Sequence, residues 1–457
     1  MTLAGMTMSE VIRAIGGKVL FGKPDGIGGI SIDSRNISQG DIFLAIKGER
    51  FDGHDFVADA LKIASGAIVS VPPASPSADK CIVHVHNTLK ALHDLANYIR
   101  RKYDPLVIGI TGTNGKTTTK EMTASILSSR YKVLKNTGNL NNQIGLPLSM
   151  MDLDPSYEAA VLEMGASAPG DIRELCQIAE PAYGVLTNIG YAHIEGFRDI
   201  GIVRQSKMEL LDSVGSVAVN SDDAFLMEGL QSYAGRVVRF GIETECDVRA
   251  SQVELGVGRS SFTLEMGGES GKVEIRVSGL FNVYNALAAA SVAHMLGLGL
   301  QDVQKGLGDF SGVPMRVEIK EFHGAMVISD VYNANPASME EALKELIRLW
   351  DKRAVAVLGD MLELGSYSEA AHRRLGDWMS RFPVDMFIAV GTNMELAAEE
   401  FEKAGRTVVR AADAAAARKA LLEYARAGDT VLVKGSRTMR MEQVLENGVN
   451  GRAEVRG

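Results

Sequence analysis

Residues 112–118 read Gly-Thr-Asn-Gly-Lys-Thr-Thr, between the apolar run Leu106-Val107-Ile108-Gly109-Ile110 and a segment with helical spacing, Thr118 to Arg130. A strand, a glycine-rich turn and a helix in that order form an anion cradle. The turn's backbone N–H groups approach phosphate oxygens, and the helix start adds its positive dipole. Gly112 and Gly115 permit that close approach, with Thr113 and Asn114 between them and Thr118 behind. Lys116 has the reach for the outer phosphates, and the Thr117 hydroxyl is a magnesium ligand by type. The segment departs from the full Walker A pattern, because Ile110 stands where its first glycine would be. The alternative, a merely structural turn, does not account for the lysine–threonine pair in this setting.

Around this loop, apolar strands alternate with amphipathic helices, with further strands expected at Ala159–Leu162, Ala182–Thr187 and Ser216–Asn220. Such regularity implies a largely parallel sheet covered by helices. Loops at the carboxyl ends of its strands converge on one crevice. Glu163 and Thr187-Asn188 stand at two such ends, with His193 shortly after. A carboxylate at position 163 can hold magnesium. Spacing alone leaves Glu163 open as a loop cap and His193 open as an ordinary partly buried imidazole. The glycine-rich stretch from Arg249 to Val277 alternates more strictly and reads as antiparallel hairpins attached to this unit, with a helix from Asn282 to Gly297 closing it.

Two flanking units are expected. Before Leu106, short apolar runs with glycine punctuation lead to a helical stretch, Leu89 to Arg101, and a hinge at Tyr103-Asp104-Pro105. After Pro314, strands at Ala325–Ser329, Ala354–Leu358, Met386–Val390 and Thr430–Val433 alternate with helices such as Met339–Leu349 and Ala411–Ala425. The whole is an α/β chain of three domains, drawn at 1–104, 105–313 and 314–457.

Composition excludes several classes. A formal net charge of -9 argues against nonspecific nucleic-acid binding. Cys81, Cys176 and Cys246 make neither a disulfide framework nor a clustered metal site. No apolar run is long enough to span a membrane. A reducing cytoplasm is the expected compartment. A monomer is the expected state, since there is no coiled-coil or repeat element.

With the loop, the segments Glu163-Met164-Gly165-Ala166, Asn188 through His193 and Asn282-Val283-Tyr284-Asn285-Ala286-Leu287 make the chain resemble the Mur ligase family over essentially its whole length. Asp330-Val331-Tyr332-Asn333-Ala334-Asn335-Pro336, Gly359 through Gly365 and Val433-Lys434-Gly435-Ser436-Arg437 are similar to its branch that adds D-alanyl-D-alanine. The resemblance implies a domain for the UDP portion of the substrate, a central P-loop ATP-binding domain and a Rossmann-like C-terminal domain that closes over both. Lys116 would hold ATP phosphates, Thr117 and Glu163 one Mg2+, and His193 a second. Lys207, by its own amphipathic pattern a surface charge, falls where the family often carries a carbamylated lysine, N6-carboxylysine. Asn285 would approach adenine, Asp330 the ribose and Arg316 a phosphate. Ser34 and Arg35 would contact UDP, and Asn333 and Asn335 belong to the loop specific to this branch. Phe281 departs from the family, which commonly has histidine there.

The reaction so implied is ligation of D-alanyl-D-alanine to UDP-N-acetylmuramoyl-tripeptide through an acyl phosphate. Another amide ligase of the family, adding the third peptide residue or extending folate with glutamate, is the nearest rival. A binding module that hydrolyses ATP without ligation is a rival of another class.

Overall fold

Three sheets follow one another along the chain. The computed structural model describes residues 3, 5–23, 26–48, 51–74, 79–192, 194–446 and 449–450. The first sheet contains β1 (Lys18–Phe21), β2 (Ile30–Ser31), β3 (Ile42–Leu44), β4 (Gly66–Val69) and β5 (Cys81–His84), in the order β1-β5-β4-β3-β2. All its pairs are parallel except β1 with β5.

The second sheet holds β6 (Leu106–Thr111), β7 (Val133–Lys135), β8 (Ala159–Glu163), β9 (Tyr183–Leu186), β10 (Ser216–Asn220), β11 (Arg236–Gly241), β12 (Val248–Leu255), β13 (Ser260–Met266) and β14 (Glu269–Ile275). Its order is β14-β13-β12-β11-β10-β9-β6-β8-β7. Strands β6 and β8 are apolar almost throughout because helices cover both faces of a parallel sheet. Strand β6 lies between β8 and β9, so the chain leaves it first to one side and later to the other. The carboxyl end of β6 is therefore a topological switch point, where open α/β sheets bind ligands.

The region expected as attached hairpins is part of this same sheet. Strand β12 pairs in parallel with β11, through Phe240 opposite Val248 and Gly241 opposite Arg249, before the chain turns antiparallel into β13 and β14. Burial explains the join, since Val248, Ala250 and Phe262 share one core cluster with Phe240.

The third sheet holds β15 (Glu318–Phe322), β16 (Ala325–Asp330), β17 (Arg353–Gly359), β18 (Met386–Val390), β19 (Thr407–Ala411), β20 (Asp429–Lys434) and β21 (Val449–Asn450). The order is β19-β18-β17-β20-β16-β15-β21, parallel from β19 to β16. Pairing of β16 with β20 sets Asp330 directly opposite Lys434.

Two helices fix how the domains meet. The helix Thr88–Tyr103 starts on the Asn87 side chain and buries Leu92, Leu95, Ala96 and Ile99, a stripe at helical spacing. At its end, Asp104 takes a left-handed conformation (φ 45°) and the chain passes into β6. The expected hinge is thus a helix cap. Here Asn97 donates to Ile178 O at 3.0 Å, and Arg100 donates to Ala179 O and Glu180 O at 3.2 Å each. These donors satisfy carbonyls at the end of the helix Asp171–Ala179, which have no partner within that helix. The second connecting helix, Pro336–Leu349, starts on an Asn335 cap with proline at its first turn. It buries Met339, Ala342, Leu343 and Leu346 against its own sheet.

Candidate active site

The loop after β6 holds its shape through the two glycines. A Cβ at Gly112 (φ 141°) would fall 2.0 Å from the Thr187 hydroxyl, and one at Gly115 (φ 83°) would fall 2.2 Å from Asn285 Oδ1. The loop after β9 then holds it in place. Thr113 N–H donates to Asn188 O and Asn114 N–H to Asn188 Oδ1, each at 2.9 Å, and the Thr187 hydroxyl donates to Asn114 O at 2.7 Å. The helix Lys116–Leu127 begins two residues earlier than its apolar spacing indicates, because left-handed Gly115 precedes it. No side chain caps that start, which leaves first-turn N–H groups for an anion.

Lys116 folds back over the loop, donating to Gly112 O and Thr113 O at 2.9 Å each. Burial holds its ammonium below the usual lysine range; Glu163 opposes that shift and Arg316 adds to it. Glu163 ends β8. Its Oε1 accepts from Asn141 Nδ2 at 2.7 Å, while its Oε2 is buried with no hydrogen-bond partner. An orphaned buried carboxylate oxygen requires an explanation, and a hard cation supplies one. Among the described residues no three His, Cys, Asp or Glu side chains are grouped to hold a metal. Magnesium is held by one or two carboxylates together with substrate phosphates rather than by an all-protein cage. Glu163 and the Thr117 hydroxyl fit that role.

Lys207 is buried, contrary to the surface position its own pattern indicates, with Nζ 3.3 Å from Ala166 O and 5.3 Å from the Phe197 ring centroid. Burial, then repulsion from Lys116, pushes its pKa down to about 7, with Asp171 and Glu209 acting the other way. His193 lies outside the described residues.

Asn285 sits beneath the phosphate loop with both ends of its amide engaged. The Thr119 hydroxyl donates to its Oδ1 at 3.3 Å, and its Nδ2 donates to Asn282 Oδ1 at 3.1 Å. Arg316 crosses from the third domain. Its Nη2 lies 3.3 Å from the Thr117 hydroxyl, its guanidinium carbon lies 4.1 Å from the Tyr332 ring centroid, and its Nε is buried without a partner. Asp330 forms a buried ion pair with Lys434, which also donates to Asn333 O at 2.9 Å. Asn333 Oδ1 accepts from Ala334 N–H at 2.9 Å. Asn335 does two jobs: its Oδ1 caps its helix at Ser338 N–H (2.9 Å), and its Nδ2 donates to Asn114 Oδ1 (2.8 Å) in the phosphate loop.

These groups enclose a cavity of about 590 Å³, within the usual range for a ligand site. Thr113 to Thr118, Glu163, Asn285, Arg316, Asp330, Asn333 and Asn335 all line it. Ser34 and Arg35 do not: Arg35 is exposed on the first domain and pairs with Asp33 through two bonds of 2.9 Å. Sequence reasoning assigned no role to Asn141, Tyr332 or Lys434. Tyr332 and Lys434 lie within the segments that resemble the D-alanyl-D-alanine branch, whereas Asn141 carries no signal beyond an asparagine-rich stretch.

Three family models cover most of the chain. The Mur ligase middle domain matches residues 110–293, the Mur ligase glutamate ligase domain residues 315–437, and the Mur ligase family catalytic domain residues 26–100. The chain belongs to the Mur ligase family. It is 35% identical to the UDP-N-acetylmuramoyl-tripeptide–D-alanyl-D-alanine ligase of Bacillus subtilis (strain 168), over 92% of this chain and 93% of that protein. The enzyme of that name from Escherichia coli (strain K12) is 33% identical over 98% of this chain and 100% of its own. Among solved structures, a MurF from Acinetobacter baumannii superposes with TM-score 0.91 at 33% identity, covering 97% of this chain and 99% of that one. MurF ligase from Thermotoga maritima, in complex with ADP, gives 0.82 at 30%, covering 91% and 96%. Folylpolyglutamate synthase from Mycobacterium tuberculosis, at 18% identity and TM-score 0.62, shares the fold alone. This Mur ligase thus has the family's three-domain architecture and its general activity, ATP-dependent ligation of peptidoglycan precursors.

Proposed function

We propose that this Mur ligase joins D-alanyl-D-alanine to UDP-N-acetylmuramoyl-tripeptide, giving the pentapeptide, ADP and phosphate. The observation that carries this reading is near-full-length similarity to two ligases of that name, over 92% and 98% of this chain. The cavity supports it, because its third-domain wall includes Asp330, Tyr332 to Asn335 and Leu362-Glu363, from segments resembling that branch.

A carboxylate and an amine do not condense usefully in water without activation. In this reading the terminal carboxylate of the tripeptide attacks the outer phosphorus of ATP, ADP leaves, and an acyl phosphate forms. The dipeptide amine then attacks the acyl carbon, the C–N bond forms, phosphate departs and the amine loses its proton. Lys116 and the first-turn N–H groups hold the phosphates and stabilise their charge. Arg316 brings a second cation to the same edge from the third domain. Held by Glu163 and Thr117, magnesium supplies further neutralisation of phosphate charge. We assign His193 to a second ion. Enclosure between domains orients three reactants and keeps water from the acyl phosphate.

Lys207 belongs to the proposal as a carbamylated lysine. A lysine pushed down to about 7 by burial has a neutral amine available to carbon dioxide near neutral pH. In 13C-bicarbonate the protein is expected to show a carbamate carbon signal that Lys207→Met removes; its persistence in that variant would place the modification elsewhere. We place the enzyme in the cytoplasm, where ATP is supplied, acting as a monomer. Among the described residues no helix is long and apolar enough to cross a membrane.

The deciding experiment incubates the protein with magnesium-ATP, D-alanyl-D-alanine and either the diaminopimelate or the lysine form of the tripeptide, and measures product mass. A pentapeptide with matching phosphate release is expected. Product with a single amino acid in place of the dipeptide, and none with D-alanyl-D-alanine, would assign the chain to another branch.

A further inference from the structure

The turn at residues 361–365 follows β17 in the third domain but is fitted against the central one. Leu362 and Glu363 line the cavity. Glu363 and Gly365 are left-handed (φ 62° and 51°), and a Cβ at Gly365 would lie 3.2 Å from Glu195 Cα. Across the domain boundary Glu195 N–H donates to Glu363 O at 3.3 Å, and Tyr191 stacks on Tyr367 with ring centroids 4.5 Å apart. Left-handed backbone is costly at Glu363, so the turn needs holding from outside itself.

Part of the holding comes from the neighbouring strand end. Leu362 N–H donates to the Ser436 hydroxyl at 2.9 Å, and Ser436 N–H donates to Asp360 O at 3.1 Å. The rest comes from a histidine. His372, fully buried on the helix Ser368–Ser380, accepts the Met361 N–H on Nε2 at 3.1 Å, and its Nδ1 lies 2.7 Å from Ser368 O.

These two partners fix the state of the ring. A carbonyl oxygen only accepts, so Nδ1 carries a proton. A backbone N–H only donates, so Nε2 keeps its lone pair. The imidazole is neutral and bridges helix to turn. A second proton, on Nε2, would meet the Met361 N–H donor to donor and leave that buried group without an acceptor.

The charged groups on the elements packed around the ring are engaged elsewhere. Asp360 accepts the Met394 N–H at 2.7 Å. Glu399 and Glu400, from the helix Met394–Lys403, pair with Arg373, as does Glu369 on His372's own helix. Glu340, from the helix Pro336–Leu349, pairs with Arg374. Burial pushes the His372 imidazole below the usual histidine range, against the pull of the Ser368 carbonyl and the Asp360 carboxylate.

We infer that His372 is a positioning residue for ligation: as a neutral imidazole it holds the 361–365 turn against the central domain, and a proton on Nε2 releases it. A released turn frees the ring to bind a proton below about pH 6.5, which the pinned ring does not do. Each pH unit below that value favours release by up to about tenfold, and above it release is indifferent to pH. The device serves ligation whichever acceptor the enzyme joins.

The test compares wild type with His372→Gln, whose amide stays neutral at every pH and can accept the Met361 N–H. For both, kcat/KM for ATP in ligation by the full chain is measured from about pH 8 to about pH 5. All other titrating groups, on enzyme and substrates, are shared, so the ratio of the two isolates His372. The ratio of variant to wild type is expected to rise about threefold or more toward the acid end. A ratio that is flat or falls would overturn the inference, whether the variant matches wild type or is uniformly weaker, as a structural role would make it. Amide exchange of wild type, corrected for its intrinsic pH dependence, needs neither substrate nor variant. The peptides containing Glu195 and Leu362, one from each domain, are expected to lose protection together as pH falls. Protection kept in both, or lost from one alone, would equally sink the idea.

Discussion

The two walls of the cavity are built in contrasting ways. The central-domain wall is a strand-to-helix turn whose glycines, backbone bonds to Asn188 and helix start lie within one sheet and its neighbouring loop. The third-domain wall reaches the nucleotide loop through few cross-domain contacts. Arg316 touches Thr117 and Asn335 touches Asn114 at the near end, and Arg348 holds the far end of the same helix. There, Arg348 donates to Leu255 O at 2.7 Å and Gly256 O at 3.1 Å while pairing with the buried carboxylate of Glu345 at 2.6 Å. The first wall is shaped for phosphate by its own domain. The second acquires its function from where it is placed, which suits a part that closes over substrates.

If that contrast holds, changes to the two walls fail differently. Lys116→Met removes charge at the transferring phosphoryl group and should lower kcat/KM about a thousandfold, roughly 4 kcal/mol, with melting temperature unchanged or raised because a buried ammonium is gone. A melting temperature that falls sharply would mean the phosphate wall depends on that lysine for its shape. Arg348→Met leaves Glu345 buried without its partner and should cost about 3 kcal/mol of stability by denaturant unfolding. It should also raise KM for ATP, although Arg348 is remote from the phosphates. Lost stability with unchanged KM would remove the lever from this picture. Asn335→Ala cuts the amide contact between the walls and a helix cap. About 1 kcal/mol, roughly a fivefold rise in KM for ATP, is expected, with kcat moved less. An effect as large as that of Lys116→Met would erase the distinction between the walls.

The same contrast explains what could be read in advance. Strands β10 and β18 occupy the expected residues, Ser216–Asn220 and Met386–Val390, because buried parallel strands are continuous apolar runs. The hairpins at Arg249–Val277 were legible as strands but not as an extension of the nucleotide sheet. Alternation records which face is buried and not which strand lies alongside. Lys207 departs from its own pattern for a related reason: a lysine in an amphipathic stretch carries no mark of the Ala166 carbonyl and Phe197 ring of its own domain that lie against it. Ser34 and Arg35 were proposed by resemblance, and they are not among the described residues that line the cavity, which come from the other two domains.

Seven consecutive residues, with an apolar strand before them and a helix after, carry the phosphate loop, and local backbone chemistry is enough to recognise it. Asp330 and Lys434 are 104 residues apart in the chain and meet because β16 and β20 pair in parallel. Asn114 and Asn335 are 221 apart and meet because two domains pack. Leu362 N–H meets the Ser436 hydroxyl, 74 residues on, and Glu363 O meets the Glu195 N–H of another domain. Short-range order is encoded in residue type and spacing. Contacts of that separation depend on which surfaces bury one another, and that is settled in three dimensions.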